Sequence, residues 1–127
     1  MERLTGFADA VAGFATFDAA FHVAWATLLG IFVGSLPGLT ATMGVALLTT
    51  LTYTLDRDTA ILVLICMYVG AIYGGSRTAI LLNIPGTPAS AATSLDGYPL
   101  AQQGRAAYAM ALATSGSALG TFCLLYT

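Results

Sequence analysis

The interval from Ala19 to Leu55 carries no charged side chain, and this feature restricts the possible folds more than any other. A helix that crosses a bilayer needs about 20 mostly apolar residues. Charged residues make up 8% of the chain, whereas soluble domains carry roughly 25%. We therefore predict an all-α, polytopic integral membrane protein with the lipid bilayer as its first partner. The net charge of −2 and the lack of a basic cluster exclude nucleic acid as a partner.

Two Pro-Gly pairs, Pro37-Gly38 and Pro85-Gly86, interrupt apolar runs that would otherwise continue as helices. Proline has no amide donor and clashes with the preceding turn, so a helix is broken at such a position. Thr87 is a suitable N-cap, and Pro88 fits the first position of a restarted helix. The first run likewise resumes with a threonine as its cap. The sequence thus predicts Pro-Gly-broken helices of the discontinuous or re-entrant kind.

The spacing of apolar residues divides the chain into two parts. Residues 1–18 have one apolar stripe and predict an amphipathic helix on the bilayer surface; packing of that helix on the water-exposed side of the bundle is the alternative. Residues 19–127 predict a transmembrane transport domain. We place its helices at about residues 19–36, 39–55, 59–82 and 106–126, with a short half-helix at 87–94.

Glycines and polar residues along the chain predict where helices pack closely and where turns occur. GxxxG pairs, which let another helix approach closely, begin at Gly30, Gly70 and Gly116. The charged triplet Asp56–Asp58 predicts an aqueous turn between membrane segments. Asp96-Gly97-Tyr98-Pro99 has the composition of a second turn.

Arg77 lies within an apolar run and allows two interpretations. In the first, Gly74-Gly75-Ser76 ends the helix near the interface and the guanidinium snorkels into water. In the second, the guanidinium pairs with a carboxylate of a substrate. We expect the first, because the two breaks already offer amide donors to an anion.

The breaks themselves point to transport. Irregular backbone at membrane depth is tolerated only where it is buried in protein or lines a watery cavity. Two interrupted hydrophobic segments in one chain are typical of the substrate site of a secondary transporter. The start of each restarted helix would present free amides and a positive dipole end, which suit an anion.

The two breaks also carry a family resemblance, in GSLPGLTATMGVALL (residues 34–48) and YGGSRTAILLNIPGTPASAATSLDGYPLAQQG (residues 73–104). These motifs resemble the TctA-like large membrane subunit of the tripartite tricarboxylate transporter family. The resemblance implies a multi-pass permease of the bacterial inner membrane that takes up carboxylates by symport, without enzymatic chemistry or a cofactor. It also implies a TctC-like periplasmic solute-binding protein, a TctB-like small membrane subunit, and Na⁺ or H⁺ as coupling ion. Because such subunits are several times longer, we expect this chain to be the N-terminal part of one.

The site residues that we predict come from these two motifs. We expect a di- or tricarboxylate to be bound by backbone amides, hydroxyls and one side-chain amide at Ser35, Pro37, Gly38, Thr40, Thr42, Asn83, Pro85, Gly86, Thr87, Ser90 and Thr93. Asp96 is the candidate for cation coupling, together with carbonyl groups freed at the breaks.

Two other classes of function compete with transport by symport. A channel or a structural assembly subunit would need the same membrane helices. An intramembrane hydrolase would have to use Ser76, His22 and Asp96, but no GxSxG or comparable context surrounds the serine.

Overall fold

The structure is a computed structural model and describes residues 16–126. Almost all of the predicted surface helix, residues 1–18, lies outside the described residues. Within residues 16–126 the chain is helical and contains no strand. The prediction of an all-α membrane protein is therefore confirmed.

Five α-helices follow one another in the part of the chain that the structure describes: α1 (Phe17–Ser35), α2 (Ala41–Thr52), α3 (Arg57–Leu82), α4 (Ala91–Leu100) and α5 (Ala106–Tyr126). A 3₁₀ turn, Pro88–Ser90, leads into α4, and a π-helical turn, Ala101–Arg105, joins α4 to α5. Helices α1 and α3 are long and apolar enough to cross a membrane. The stretch Ala91–Leu124 meets the same criteria of length and composition, but it contains the non-helical residue Gly104. Helix α2 is shorter, with 12 residues.

The glycines of α1 and α3 pack against each other's backbones. A β-carbon on Gly34 would collide with the backbone of Ala71, and one on Gly74 would collide with the carbonyl of Ile31. Thr27 of α1 meets Gly70 of α3, and Ile31, one turn later, meets Gly74. The two helices therefore run parallel. The first two GxxxG pairs therefore form one close helix crossing, as their small residues indicate.

Helix α2 returns along this pair and completes a small apolar core. Ala26 of α1, Leu48 of α2, and Val63 and Met67 of α3 are all buried there. Gly44 on α2 faces the side chains of Val33 and Met67, where a β-carbon would be too close. These three helices form the scaffold on which both breaks are mounted.

Helix α3 continues without interruption through Gly74-Gly75-Ser76 to Leu82, so the predicted helix end before Arg77 is wrong. The two glycines are packing residues. Gly74 faces α1, and Gly75 faces Thr87 in the second break, where its β-carbon would lie 3.3 Å from the Thr87 amide nitrogen. Two consecutive glycines often mark the end of a helix. Here the helix continues, and the glycines are needed because neighbouring backbone leaves no room for a side chain.

The predicted turn at Asp96-Gly97-Tyr98-Pro99 is also wrong, because all four residues lie within α4. Gly97 packs against the side chain of Ile80, and Pro99 is the penultimate residue of the helix. Proline is tolerated in membrane helices when neighbouring groups compensate the lost bond. The chain reverses instead at Gly104, whose φ of 77° favours glycine.

Helix α5 returns along α3 and is the most exposed helix of the described chain. Tyr73 on α3 interacts with the Thr114 side chain on α5, which fixes the level at which the two helices meet. A β-carbon on Gly116 or Gly120 would meet nothing within 4 Å among the described residues. The third GxxxG pair therefore lines open space.

Candidate functional site

The first break is a tight turn between α1 and α2. The Leu36 amide donates to the Val33 carbonyl over 3.1 Å, and the Leu39 amide donates to the Leu36 carbonyl over 3.2 Å. Gly38 has a φ of 97°, in the left-handed region, and open space surrounds it. Glycine is needed here for its backbone freedom. Both Pro37 and Gly38 are exposed.

Thr40 caps the helix that follows the first break. Its hydroxyl accepts a hydrogen bond of 3.3 Å from the Met43 amide and lies 2.9 Å from the Thr42 hydroxyl. Thr40 is half-buried and Thr42 is exposed. Two adjacent hydroxyls therefore stand at the positive end of α2. Their binding of an anion stays a prediction. Ser35 contributes less, because its hydroxyl donates to the Ile31 carbonyl of its own helix over 2.6 Å.

The second break begins with a left-handed residue. Asn83 has a φ of 57°, and its amide donates to the Ala79 carbonyl over 3.2 Å, which closes the end of α3. Asparagine is one of the few residues other than glycine that adopts this conformation readily. Asn83 and Pro85 are both exposed, so the side-chain amide of Asn83 is available to a ligand.

Thr87 and Ser90 close the second break from inside. The Ser90 hydroxyl donates to the Thr87 carbonyl over 2.8 Å, and the Thr87 amide donates to the Ser90 hydroxyl oxygen over 3.2 Å. Thr87 caps the turn with Pro88 at its first position, which confirms that prediction. Both side chains are buried, Thr87 at 5% and Ser90 at 1% exposure. Their groups satisfy each other and define the shape of the turn.

The second break folds back onto the first. A β-carbon on Gly86 would collide with the carbonyl of Gly34, three residues before Pro37, and would lie 3.0 Å from Cα of Gly75. Gly75 precedes the end of α3 by seven residues, so the chain returns about 10 Å along that helix before it restarts. This segment is re-entrant. The two breaks, far apart in sequence, are thus neighbours at one end of the α1–α3 pair.

The depth of this junction follows from the length of α3. Gly75 lies 18 residues beyond Arg57, or about 27 Å along the helix. The hydrocarbon core of a bilayer is about 30 Å thick. With the charged turn at one interface, the junction of the breaks lies towards the opposite side of the membrane.

The last two predicted site residues lie on α4. Thr93 is half-buried and faces a groove between α3 and α5, whereas Asp96 is exposed. Among residues 16–126, Asp96 forms no ion pair and lines neither of the two large cavities. The structure therefore groups Thr93 with α3 and α5 rather than with the first break.

The groove itself was missed by sequence reasoning. Its volume is about 860 Å³. One wall is a face of α3 that carries both apolar and polar side chains, the polar ones being Tyr73, Ser76 and Arg77. Tyr73 and Arg77 are four residues apart, a spacing at which side chains on a helix meet. This spacing in the sequence indicates that Tyr73 and Arg77 share one face of α3.

The residues of the alternative hydrolase are not brought together. The Ser76 hydroxyl donates to the Ile72 carbonyl of its own helix. His22 lies near the start of α1, in a cavity of about 710 Å³ that also includes Asp56 and Asp58. Since α1 residues meet α3 residues about 40 positions later, His22 lies roughly 21 Å below Ser76 along the pair. No nucleophile and base are paired in this arrangement.

Comparison with known proteins gives the same assignment as the two motifs. The model of the tripartite tricarboxylate transporter TctA family matches residues 21–126. A protein of Agrobacterium vitis, named "uncharacterized 52.8 kDa protein in TAR-I ttuC' 3'region", is 44% identical over 108 residues. That alignment covers 83% of this chain and 22% of the relative, so the chain spans about a fifth of the relative's length. Among solved structures, none matches the chain. With the family match over nearly all the described residues, the chain belongs to the tripartite tricarboxylate transporter TctA family.

Proposed function

We propose that this chain contributes the substrate-holding breaks of a permease that takes up a di- or tricarboxylate by cation symport. The observation that carries the proposal is the contact of Gly86 with the Gly34 carbonyl. It places the irregular backbone of the second break against the last turn of α1, next to the first break. Irregular segments of this kind line polar cavities in secondary transporters.

The first break supplies the more accessible anion-binding groups. At the start of α2 the hydroxyls of Thr40 and Thr42 lie side by side, and the helix dipole adds a positive partial charge there. The exposed Asn83 amide extends this surface from the second break. Gly86, Thr87 and Ser90 then act by fixing the re-entrant turn. In this account carboxylate oxygens bind to donors of the backbone, hydroxyls and amide, with no covalent step.

The coupling ion would be held by oxygen atoms. Hard cations such as Na⁺ prefer carboxylate and carbonyl ligands. Asp96 on α4 offers an exposed carboxylate, and the Ile84 carbonyl lies in the non-helical part of the second break. Protonation of Asp96 would serve H⁺ coupling by the same residue. No cofactor takes part in this mechanism.

The partners follow from the tripartite organisation of the family. We propose a TctC-like periplasmic solute-binding protein that delivers the carboxylate and a TctB-like small membrane subunit, with the complex in the bacterial inner membrane. The exposed apolar surface of α1 and α5, including Phe32 and Leu119, is suited to lipid or to membrane subunits.

Uptake into vesicles tests the proposal. The complete transporter, reconstituted with its partner subunits, should accumulate labelled citrate or succinate when a Na⁺ or H⁺ gradient is imposed. Acetate, with one carboxylate, serves as the control substrate. Uptake should saturate and should require the binding protein. Linear, gradient-independent flux would indicate a channel, and no uptake of any carboxylate would favour a structural subunit.

A further inference from the structure

Arg77 is embedded in α3 rather than placed at its end. The helix continues for five residues beyond it, and those include Ala79, Ile80, Leu81 and Leu82. Apolar residues therefore follow the guanidinium for more than a full turn. The side chain is nevertheless exposed, and it lines the groove between α3 and α5.

The groove lies on the face of α3 opposite the α1 crossing. Its α3 wall includes Val69, Tyr73, Ser76 and Ile80 at helical spacing. The α1 crossing uses a different set of positions, Met67, Gly70, Ala71 and Gly74. The far wall is α5, and Thr93 of α4 also lines the groove. The volume of about 860 Å³ falls in the roughly 300–1,000 Å³ range of ligand pockets.

Tyr73 holds the guanidinium against this groove. A terminal nitrogen of Arg77 donates to the Tyr73 hydroxyl over 2.9 Å, and the guanidinium carbon lies 4.7 Å from the centre of the same ring. Within residues 16–126 Arg77 forms no ion pair. A guanidinium has five N–H donors in a planar fork. The contact with Tyr73 leaves most of them to another acceptor.

The Arg77 side chain is exposed, so water can reach the guanidinium, and an anion that enters the groove would replace that water as its partner. A carboxylate is the acceptor that matches the fork best, through two parallel hydrogen bonds. Ser117 and Thr121 on α5 line the groove among mainly apolar neighbours, and the Thr121 hydroxyl donates to the Ser117 carbonyl over 2.8 Å. That combination of one fixed cation, a few hydroxyls and an apolar lining suits a carboxylate on a short hydrocarbon skeleton.

We propose that the groove between α3 and α5 binds one carboxylate of the transported substrate through Arg77, with Tyr73 as its positioning residue. This assignment rests on the proposed function and deepens it, because it adds a specific charge to the uncharged donors of the breaks. Thr93 lines the same groove from α4, the helix that follows the re-entrant segment.

Arg105 provides a matched control. Its guanidinium lies 4.8 Å from the centre of the Tyr108 ring, nearly the same stacking geometry, but neither residue lines the groove. We expect Arg77→Lys, in the complete reconstituted transporter, to raise the half-saturation concentration for citrate or succinate at least tenfold, equivalent to about 1.4 kcal/mol. Arg105→Lys should change it less than twofold. Similar constants in the two variants would overturn the proposal.

A second measurement leaves Arg77 intact, in case its replacement impairs folding. In a transporter with Cys66→Ala and Cys123→Ala, a hydrophilic maleimide should label Ser117→Cys, and citrate or succinate should slow that labelling at least fivefold. Gln103→Cys, on the exposed π-helical turn, should label at a rate that these anions do not change. Absence of labelling at Ser117→Cys, or equal rates with and without the carboxylates, would contradict the assignment.

The anion could also come from a lipid headgroup, and the membrane composition separates the two sources. Labelling is compared in vesicles of phosphatidylcholine alone and in vesicles that contain phosphatidylglycerol. Protection by phosphatidylglycerol but not by citrate or succinate would assign the groove to lipid and overturn the proposal. If the carboxylates protect Ser117→Cys and the wild-type transporter takes up neither, the groove stands and the uptake function fails.

Discussion

At the residue scale, the buried hydroxyl of Ser90 holds the second break in its re-entrant conformation. It accepts from the Thr87 amide and donates to the Thr87 carbonyl in a position that is 1% exposed. A buried amide that loses its acceptor costs free energy because no water can replace the bond. The re-entrant turn therefore depends on one side-chain oxygen.

Ser90→Ala should accordingly lower the free energy of unfolding by about 1–2 kcal/mol, the range measured for lost helix caps. The matched control is Ser115→Ala, because the exposed Ser115 hydroxyl donates only to the Leu112 carbonyl of its own helix. The control should change stability by less than about 0.5 kcal/mol. Denaturant titration of both variants in mixed micelles provides the comparison, and equal losses would show that the capping box does not stabilise the turn.

At the element scale, the close crossing of α1 and α3 explains why glycines are so frequent in both helices. Gly34 and Gly74 each face a backbone group that leaves no room for a β-carbon. The same crossing sets the level at which Gly86 meets α1. The position of the second break therefore depends on the packing of α1 against α3.

Gly74→Val should destabilise this crossing by about 1–3 kcal/mol, as overpacking does. Gly116→Val is the control, since a β-carbon at Gly116 meets no described atom within 4 Å. Melting of the purified protein in detergent should show a lower midpoint for the first variant and an almost unchanged one for the second. A larger shift for the Gly116 variant would mean that the packing face has been assigned to the wrong helix.

Much of the fold could be predicted from local chemistry. The Pro-Gly pairs marked both breaks, and Thr87 and Pro88 marked the restart, because capping and missing amides act within a few residues. The same local rules failed at Gly74-Gly75-Ser76 and at Asp96–Pro99. There, distant neighbours such as Ile31 and Ile80 require small residues in continuous helices, and a sequence does not show which segments will be neighbours.

At the scale of the whole molecule, the candidate site was predicted only in part. The motifs named the residues of both breaks, and the structure brings Gly86 against Gly34. Whether those residues bind the carboxylate stays a prediction. The groove was not predicted, since it exists only once α5 has returned along α3. One end of the α1–α3 pair thus combines the uncharged donors of the breaks with a nearby guanidinium.

The central claim is that the junction of the breaks is open to water and to a carboxylate at membrane depth. It is tested most directly by the rate at which a hydrophilic maleimide labels Thr42→Cys and Asn83→Cys, two exposed positions of the breaks. Ile65→Cys, on an exposed apolar face of α3, is the lipid-facing control. We predict rapid labelling of both break positions, slowed by citrate or succinate, and little labelling at position 65. Rates at the breaks as low as at position 65, or unaffected by either carboxylate, would contradict the account.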